Sequence, residues 1–264
     1  MKNTDISKYA NISPVEMRRK VRTGELNGYV TAGMCAGYAQ ANLVILPRDY
    51  AEDFKTFAQL NPGPCPILEI LDGDPYTHDM GKDGNILTDI PEYFIYKDGK
   101  LVDRCYDATP YWQEDMVGFL IGCSFSFEEA LMREGIEIRH IATGRNVPMY
   151  KTNCMTKPAG PFHGPIVCSM RPMTPENAGR AYAITAAMPN VHGAPLHIGD
   201  PAVLGVIDVD ILIFLGACLL RQYPVLGWLA QRGPRQPDAS LLQYANVWRF
   251  RYSLSARIRA GYRP

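Results

Sequence analysis

Short apolar runs alternating with helix-start signals constrain this chain more than any other feature. Ala41–Leu46 reads as a buried strand stopped by Pro47, Ile67–Leu71 as a second, and Ile166–Met170 as a third. Tyr93–Tyr96, the Asp98-Gly99 pair and Leu101–Cys105 together predict a β-hairpin. Helix signals fall between these runs. Ser13-Pro14-Val15-Glu16 offers an N-cap, a proline at the first helical position and a capping-box glutamate, with Gly24 as the stop. Arg48–Leu60 places Tyr50, Phe54 and Phe57 on one helical face. Thr109-Pro110 predicts a helix through Ile121 closed by Gly122, and Ser126 with Glu129 predicts a capping box for a helix ending at Gly135. Ile136–Ile141 reads as a strand, and Thr174-Pro175 opens a helix through about Ala187. This alternation predicts an α/β class: a mixed sheet with flanking helices, arranged as one or two α/β subdomains.

The formal net charge is zero, so no whole-chain field favours nucleic acid. That zero conceals a break. Residues 1–210 carry 19 Lys and Arg against 26 Asp and Glu, whereas residues 211–264 carry eight Arg and one Asp. The seven cysteines are an odd number with no CxxC pair, and the N-terminal residues lack an apolar stretch. Both features predict a reducing, cytoplasmic setting with free thiols. The apolar run 211–220 is too short to span a bilayer, so no membrane is expected.

The chemistry gathers in four segments. Gly122–Glu129 brings a thiol, two hydroxyls and two carboxylates to a predicted helix start, where free N–H groups favour an anion. Cys123 is a candidate nucleophile or a small buried thiol. Glu128 is a candidate general acid/base or a first-turn glutamate stabilised by the helix dipole. Ser124 and Ser126 are candidates for binding substrate, with Ser126 also readable as a plain cap. Arg139, Arg145 and Arg171 are candidate carboxylate clamps, Arg171 the strongest because it follows a strand. Asn146 and Tyr150 complete the Arg145–Tyr150 group. His192 and His197, across Gly193-Ala194-Pro195, are candidates for proton transfer or binding rather than a metal pair. No GxGxxG or Walker loop occurs, so no cofactor and no metal are expected. The expected partner is a small amino or carboxylic acid, with a homo-oligomer left open.

These residues carry a resemblance. Thr31-Ala32-Gly33 with Gly37–Leu43, Asn61-Pro62 with Pro64-Cys65-Pro66, Gly122–Glu129, Arg145–Tyr150, Ser169-Met170-Arg171-Pro172 and His192–Pro201 together resemble the bacterial hydro-lyase family related to mitochondrial D-glutamate cyclase. The likeness covers about residues 10–208. It implies an α/β fold and a carbon–oxygen lyase; in the related cyclase, D-glutamate loses water to give 5-oxo-D-proline. It implies roles for Arg145 or Arg171 on the carboxylate, Glu128 or a histidine on the protons, and N–H groups near Ser124–Ser126 on the oxyanion.

The likeness stops near Asp208, where the composition breaks. The chain therefore divides into a hydro-lyase-like α/β domain, 1–208, and a divergent segment, 209–264. Family members continue with Pro-Asp-Phe-Gly, which is absent here. A reading-frame shift near codon 210 accounts for a tail rich in Arg and devoid of Lys, Glu and His; genuine divergence is the alternative. The shift predicts a marginally stable, aggregation-prone product with reduced or no activity, and the gene's nucleotide sequence decides between the two.

Overall fold

Residues 7–97, 100–208 and 248–252 are described by the computed structural model of the chain. In chain order the elements are α1 (Ser7–Ala10), α2 (Pro14–Arg22), β1 (Ala41–Pro47), α3 (Arg48–Leu60), β2 (Ile67–Asp72), β3 (Tyr93–Lys97), β4 (Lys100–Cys105), β5 (Met116–Gly122), α4 (Phe125–Arg133), α5 (Arg139–Ala142), β6 (Met149–Met155), β7 (Pro165–Ser169), α6 (Pro175–Ala186) and β8 (Trp248–Tyr252). Helices and strands are interspersed along the chain, and the class is α/β. Strands β2, β5, β1, β8, β3 and β4 form, in that order, a six-stranded sheet; β6 and β7 form a separate ribbon. Every pairing among the described residues is antiparallel.

One sheet face is covered by α3. Phe54 and Phe57 are fully buried there, and Phe54 meets Phe119 and Phe162 edge-on, at ring centroids 4.8 and 5.3 Å away. The other face packs Leu43, Ile45 and Leu120 under Ile86, Ile90 and Tyr93. After β2 the polar, glycine-rich stretch 73–86 is a loop. It is ordered by the buried Glu69 carboxylate, which accepts from the N–H groups of His78, Asp79 and Met80.

Three sequence expectations are corrected. Residues 116–122 form β5, not the end of a helix, and only Thr109–Tyr111 makes a helical turn. All seven residues of β5 are buried, because β1 and β2 flank it and both faces are covered. Such a run has no polar face to betray its period, though Gly118 and the β-branched Val117 and Ile121 disfavour helix. Residues 136–138 are not a strand but the exit from α4. Gly135 is left-handed at φ 76°, its N–H bonds Met132 O, and Ile136 N–H bonds Leu131 O. Ile136 and Leu131 pack in the same cluster, and the apolar alternation at 136 and 138 serves that contact. Finally, the Ser126–Glu129 capping box does not form. The N-cap of α4 is Ser124, and the buried Ser126 hydroxyl accepts from Gln40 N–H at 2.7 Å and donates to Gln40 O at 3.2 Å.

The start of α2 at Ser13 and of α6 at Thr174 follow their predicted caps. The β3–β4 hairpin forms in register Tyr93↔Cys105 to Lys97↔Lys100, and its Asp98-Gly99 turn lies outside the described residues. Of the 209–264 segment only β8 is described, between β1 and β3; the apolar run 211–220 lies outside. No helix among the described residues is long and apolar enough to cross a membrane.

Candidate active site

Glu128 sits in the first turn of α4, facing inward with no exposure at all. Burying a carboxylate is costly unless it is paired and hydrogen-bonded. Arg171, in the segment just after β7, supplies the pairing. Its Nε donates to Glu128 Oε1 at 3.0 Å and its Nη2 donates to the same oxygen. The rest of the guanidinium is held by hydroxyls on both sides: Nη1 donates to Ser169 Oγ at 2.8 Å and Nη2 to Ser124 Oγ at 3.1 Å. Below it, the ring of Phe127 lies 4.9 Å from the guanidinium carbon. His140, on α5 and itself buried, brings Nε2 to 3.1 Å from Glu128 Oε1. The approach leaves Nε2 without an aligned hydrogen bond among the described residues. Burial pushes the Glu128 carboxyl up, but the Arg171 charge and then His140 more than offset it and hold it below 4.5. Oε2 of Glu128 is buried and has no hydrogen-bond partner among the described residues.

His192 approaches from the loop after the turn Pro189–Val191. Its backbone is left-handed, φ 85°, a conformation uncommon outside glycine. Val191 anchors it, fully buried in the cluster that contains Phe127 and Leu131 of α4. The ring Nδ1 lies 2.9 Å from Gly63 O. A carbonyl only accepts, so Nδ1 carries the hydrogen and Nε2 of the neutral ring keeps its lone pair. Burial holds the His192 pKa below 6.5, helped by the Arg171 charge and opposed by the Gly63 hydrogen bond. Gly63 belongs to the Asn61–Pro66 turn, which is pinned by Asn61 to Lys157 on both its amide atoms and by Gly122 N–H to Pro66 O.

Gly122 makes this assembly possible. A Cβ there would stand 1.9 Å from Asn190 O and 3.1 Å from Val191 Cα. The His192 loop therefore lies directly on the end of β5.

The structure thus brings together Ser124, Glu128 and Arg171, with His192 near enough to feel the Arg171 charge. Cys123 is buried among Ala32, Phe125 and Val147, the surroundings of a structural thiol. Ser126 is committed to Gln40. Its own N–H bonds Cys123 O and that of Phe127 bonds Ser124 O. Arg139 is exposed on α5, and Arg145 is exposed just beyond it, placed by its N–H bond to His140 O at 2.8 Å. Neither guanidinium has a partner among the described residues. Asn146 is half-buried with Nδ2 unpartnered, Tyr150 is buried in β6, and His197 is half-buried with Nε2 unpartnered. Sequence reasoning missed His140, Ser169 and Gly63. His140 was hidden by reading 136–141 as a strand, although its place beside Arg139 in a charged cluster was a usable signal.

The D-glutamate cyclase family profile matches residues 117–214, which include Glu128, His140, Arg171 and His192. Among curated proteins, the "Putative hydro-lyase" of Stutzerimonas stutzeri is 48% identical over 206 residues, covering 78% of this chain and 77% of its own. Its namesake from Mycolicibacterium gilvum is 53% identical over 195 residues, 74% of each chain. That of Thermoanaerobacter pseudethanolicus is 50% identical over 203 residues, 76% of each. With identity and coverage of this order, the chain belongs to the hydro-lyase family related to D-glutamate cyclase.

Proposed function

We propose that the protein closes D-glutamate to 5-oxo-D-proline with release of water. The observation that carries this reading is the buried Glu128, held on one oxygen by Arg171 and His140 and left open on the other. Ion pairs of this kind contribute little net stability, so a chemical role is the better account of their burial. In the reaction the amine nitrogen bonds the side-chain carboxyl carbon and one carboxyl oxygen departs. Two protons leave the ammonium and both end on that oxygen, which leaves as water. His192 Nε2 takes the first proton and frees the amine to attack. Glu128 Oε2 takes the second from the nitrogen of the tetrahedral intermediate. Each then passes its proton to the departing oxygen, and the protein returns to its starting state. A carboxyl with a depressed pKa is a strong acid once protonated, which suits a poor leaving group. In this reading the N–H groups at the start of α4 stabilise the developing oxyanion, and Arg145, without a partner among the described residues, holds the α-carboxylate.

Chiral chromatography of incubated D-glutamate tests this directly. The expected result is 5-oxo-D-proline from wild type and about 10²-fold or greater loss in Glu128→Gln. Binding of D-glutamate without any turnover would replace the enzyme by a non-catalytic binding protein. The frame-shift reading of 209–264 enters here: if the DNA near codon 210 restores Pro-Asp-Phe-Gly in another frame, the restored chain is the active form and this one is impaired.

A pH dependence also follows. His192 must be neutral to act, and its folded pKa lies below 6.5. The acid limb of kcat/KM is therefore expected below pH 6.5 and should vanish in His192→Ala. Stability moves the same way. A depressed histidine pKa gives stability that is whole above 6.5 and declines as pH falls toward the folded value. The depressed Glu128 gives stability that is whole above 4.5 and lost through its own folded value. Thermal melts should fall steadily from pH 7 to pH 4; a flat profile contradicts both assignments.

A further inference from the structure

Oε1 of Glu128 receives three approaches, Nε and Nη2 of Arg171 and Nε2 of His140, while Oε2 receives none. The asymmetry is built by separate elements. Arg171 follows β7 and is fixed by Ser169 and Ser124; His140 is fixed by α5, whose carbonyl at position 140 also closes the turn to Arg145. The His140 ring lies 6.4 Å from the Phe125 ring, within the first turn of α4. Among the described residues the charged or titratable groups facing Glu128 are Arg171 from the β7 side and His140 from α5. Glu129, on the same helix, points away to Arg133.

We propose that His140 is a positioning residue: with Arg171 it occupies Oε1 of Glu128 and so assigns proton exchange to Oε2. Neither nitrogen of His140 is needed to touch substrate. A single cation on Oε1 would leave the carboxyl free to rotate about its terminal torsion, which is broad and roughly two-fold for glutamate. Contacts from two directions hold it, the Arg171 hydrogen bonds and the His140 nitrogen at 3.1 Å, and both favour the ionised form. Oε2 is closed to bulk water in this state, so the donor that satisfies it must be delivered, and a substrate ammonium is such a donor.

The inference rests on the role given to Glu128 above, and its first measurement does not use turnover. The carboxyl ¹³C resonance of Glu128, assigned by its loss in Glu128→Gln, is titrated in wild type, His140→Phe and His140→Gln. Wild type should titrate below 4.5. His140→Phe should move the midpoint up by about one unit, a tenfold change in acidity. His140→Gln, which returns an N–H near Oε1, should restore most of the shift. With D-glutamate, His140→Phe should lower kcat about tenfold or more at nearly constant KM, with Gln again restoring it. A merely structural histidine would move stability alone, and neither titration nor rescue. If His140→Phe does not fold, His140→Asn, too short to reach Oε1, takes its place. An unmoved Glu128 titration in a folded variant overturns the inference. A moved titration in a protein that never turns over D-glutamate supports the positioning and overturns only the choice of substrate.

Discussion

Arg171→Ala is expected to cost about 3–5 kcal/mol and to abolish turnover. Removing one partner of a buried ion pair leaves the other charge uncompensated, and that is the expensive change rather than the loss of the pair itself. Glu128 is fully buried and Arg171 only 11% exposed, so solvent does little to soften the loss. Ser124 and Ser169 lose their shared donor as well. For a chain of this size the melting temperature should fall by roughly 10 °C. Arg171→Lys should rescue little, because an ammonium is a point charge and cannot span Glu128, Ser124 and Ser169 at once. Acidity provides the internal control. The wild-type contribution from Glu128 is whole above 4.5 and lost as pH falls through its depressed folded value, so the gap between wild type and variant should narrow at pH 4. Equal melting temperatures at pH 7, or a gap independent of pH, would show that the pair does not carry this energy.

Gly122→Ala should be nearly as damaging from a site that touches no substrate. The added methyl would stand 1.9 Å from the carbonyl oxygen of Asn190, and its neighbours there are backbone atoms with no rotamer to change. The 189–193 loop must lift, taking Val191 out of its cluster with α4 and His192 away from Gly63. Overpacking of this kind costs about 1–3 kcal/mol. Displacing a reacting group by about 1 Å costs on the order of 10²-fold in rate. The matched control is Gly179→Ala in α6, where a Cβ meets nothing within 4 Å; a gain of about 0.5–1 kcal/mol is expected there. Kinetics and melts of the two variants side by side are the measurement. An active, fully stable Gly122→Ala would mean that the loop does not depend on this approach.

Where local chemistry decides structure, the sequence was readable. Ser13 and Thr174 cap their helices because a hydroxyl facing the third N–H is satisfied within four residues. The hairpin at 93–105 and the strand before Arg171 follow from local composition in the same way. Where burial on both sides decides, the reading failed. Met116–Gly122 looks like a helix until β1 and β2 stand on either side of it. Ser126 looks like a cap until the backbone of Gln40, 86 residues away, claims its hydroxyl.

The site divides along the same line. Glu128 at a helix start, Arg171 after a strand and His192 in a glycine-rich loop were visible as residue types at suggestive places. Their grouping was not, because the buried carboxylate is on α4 while its partners come from α5 and from the segment after β7, 12 and 43 residues along the chain. The sequence by itself determined the α/β class, the family and the candidates, since these depend on periodicity, caps and residue identity. Only the tertiary structure decided that His140 and Arg171 share one oxygen of Glu128, that Cys123 is enclosed by apolar side chains, and that the backbone of Asn190 and Val191, just before His192, rests on Gly122. Those outcomes depend on which surfaces meet when the chain closes, and no local pattern records that.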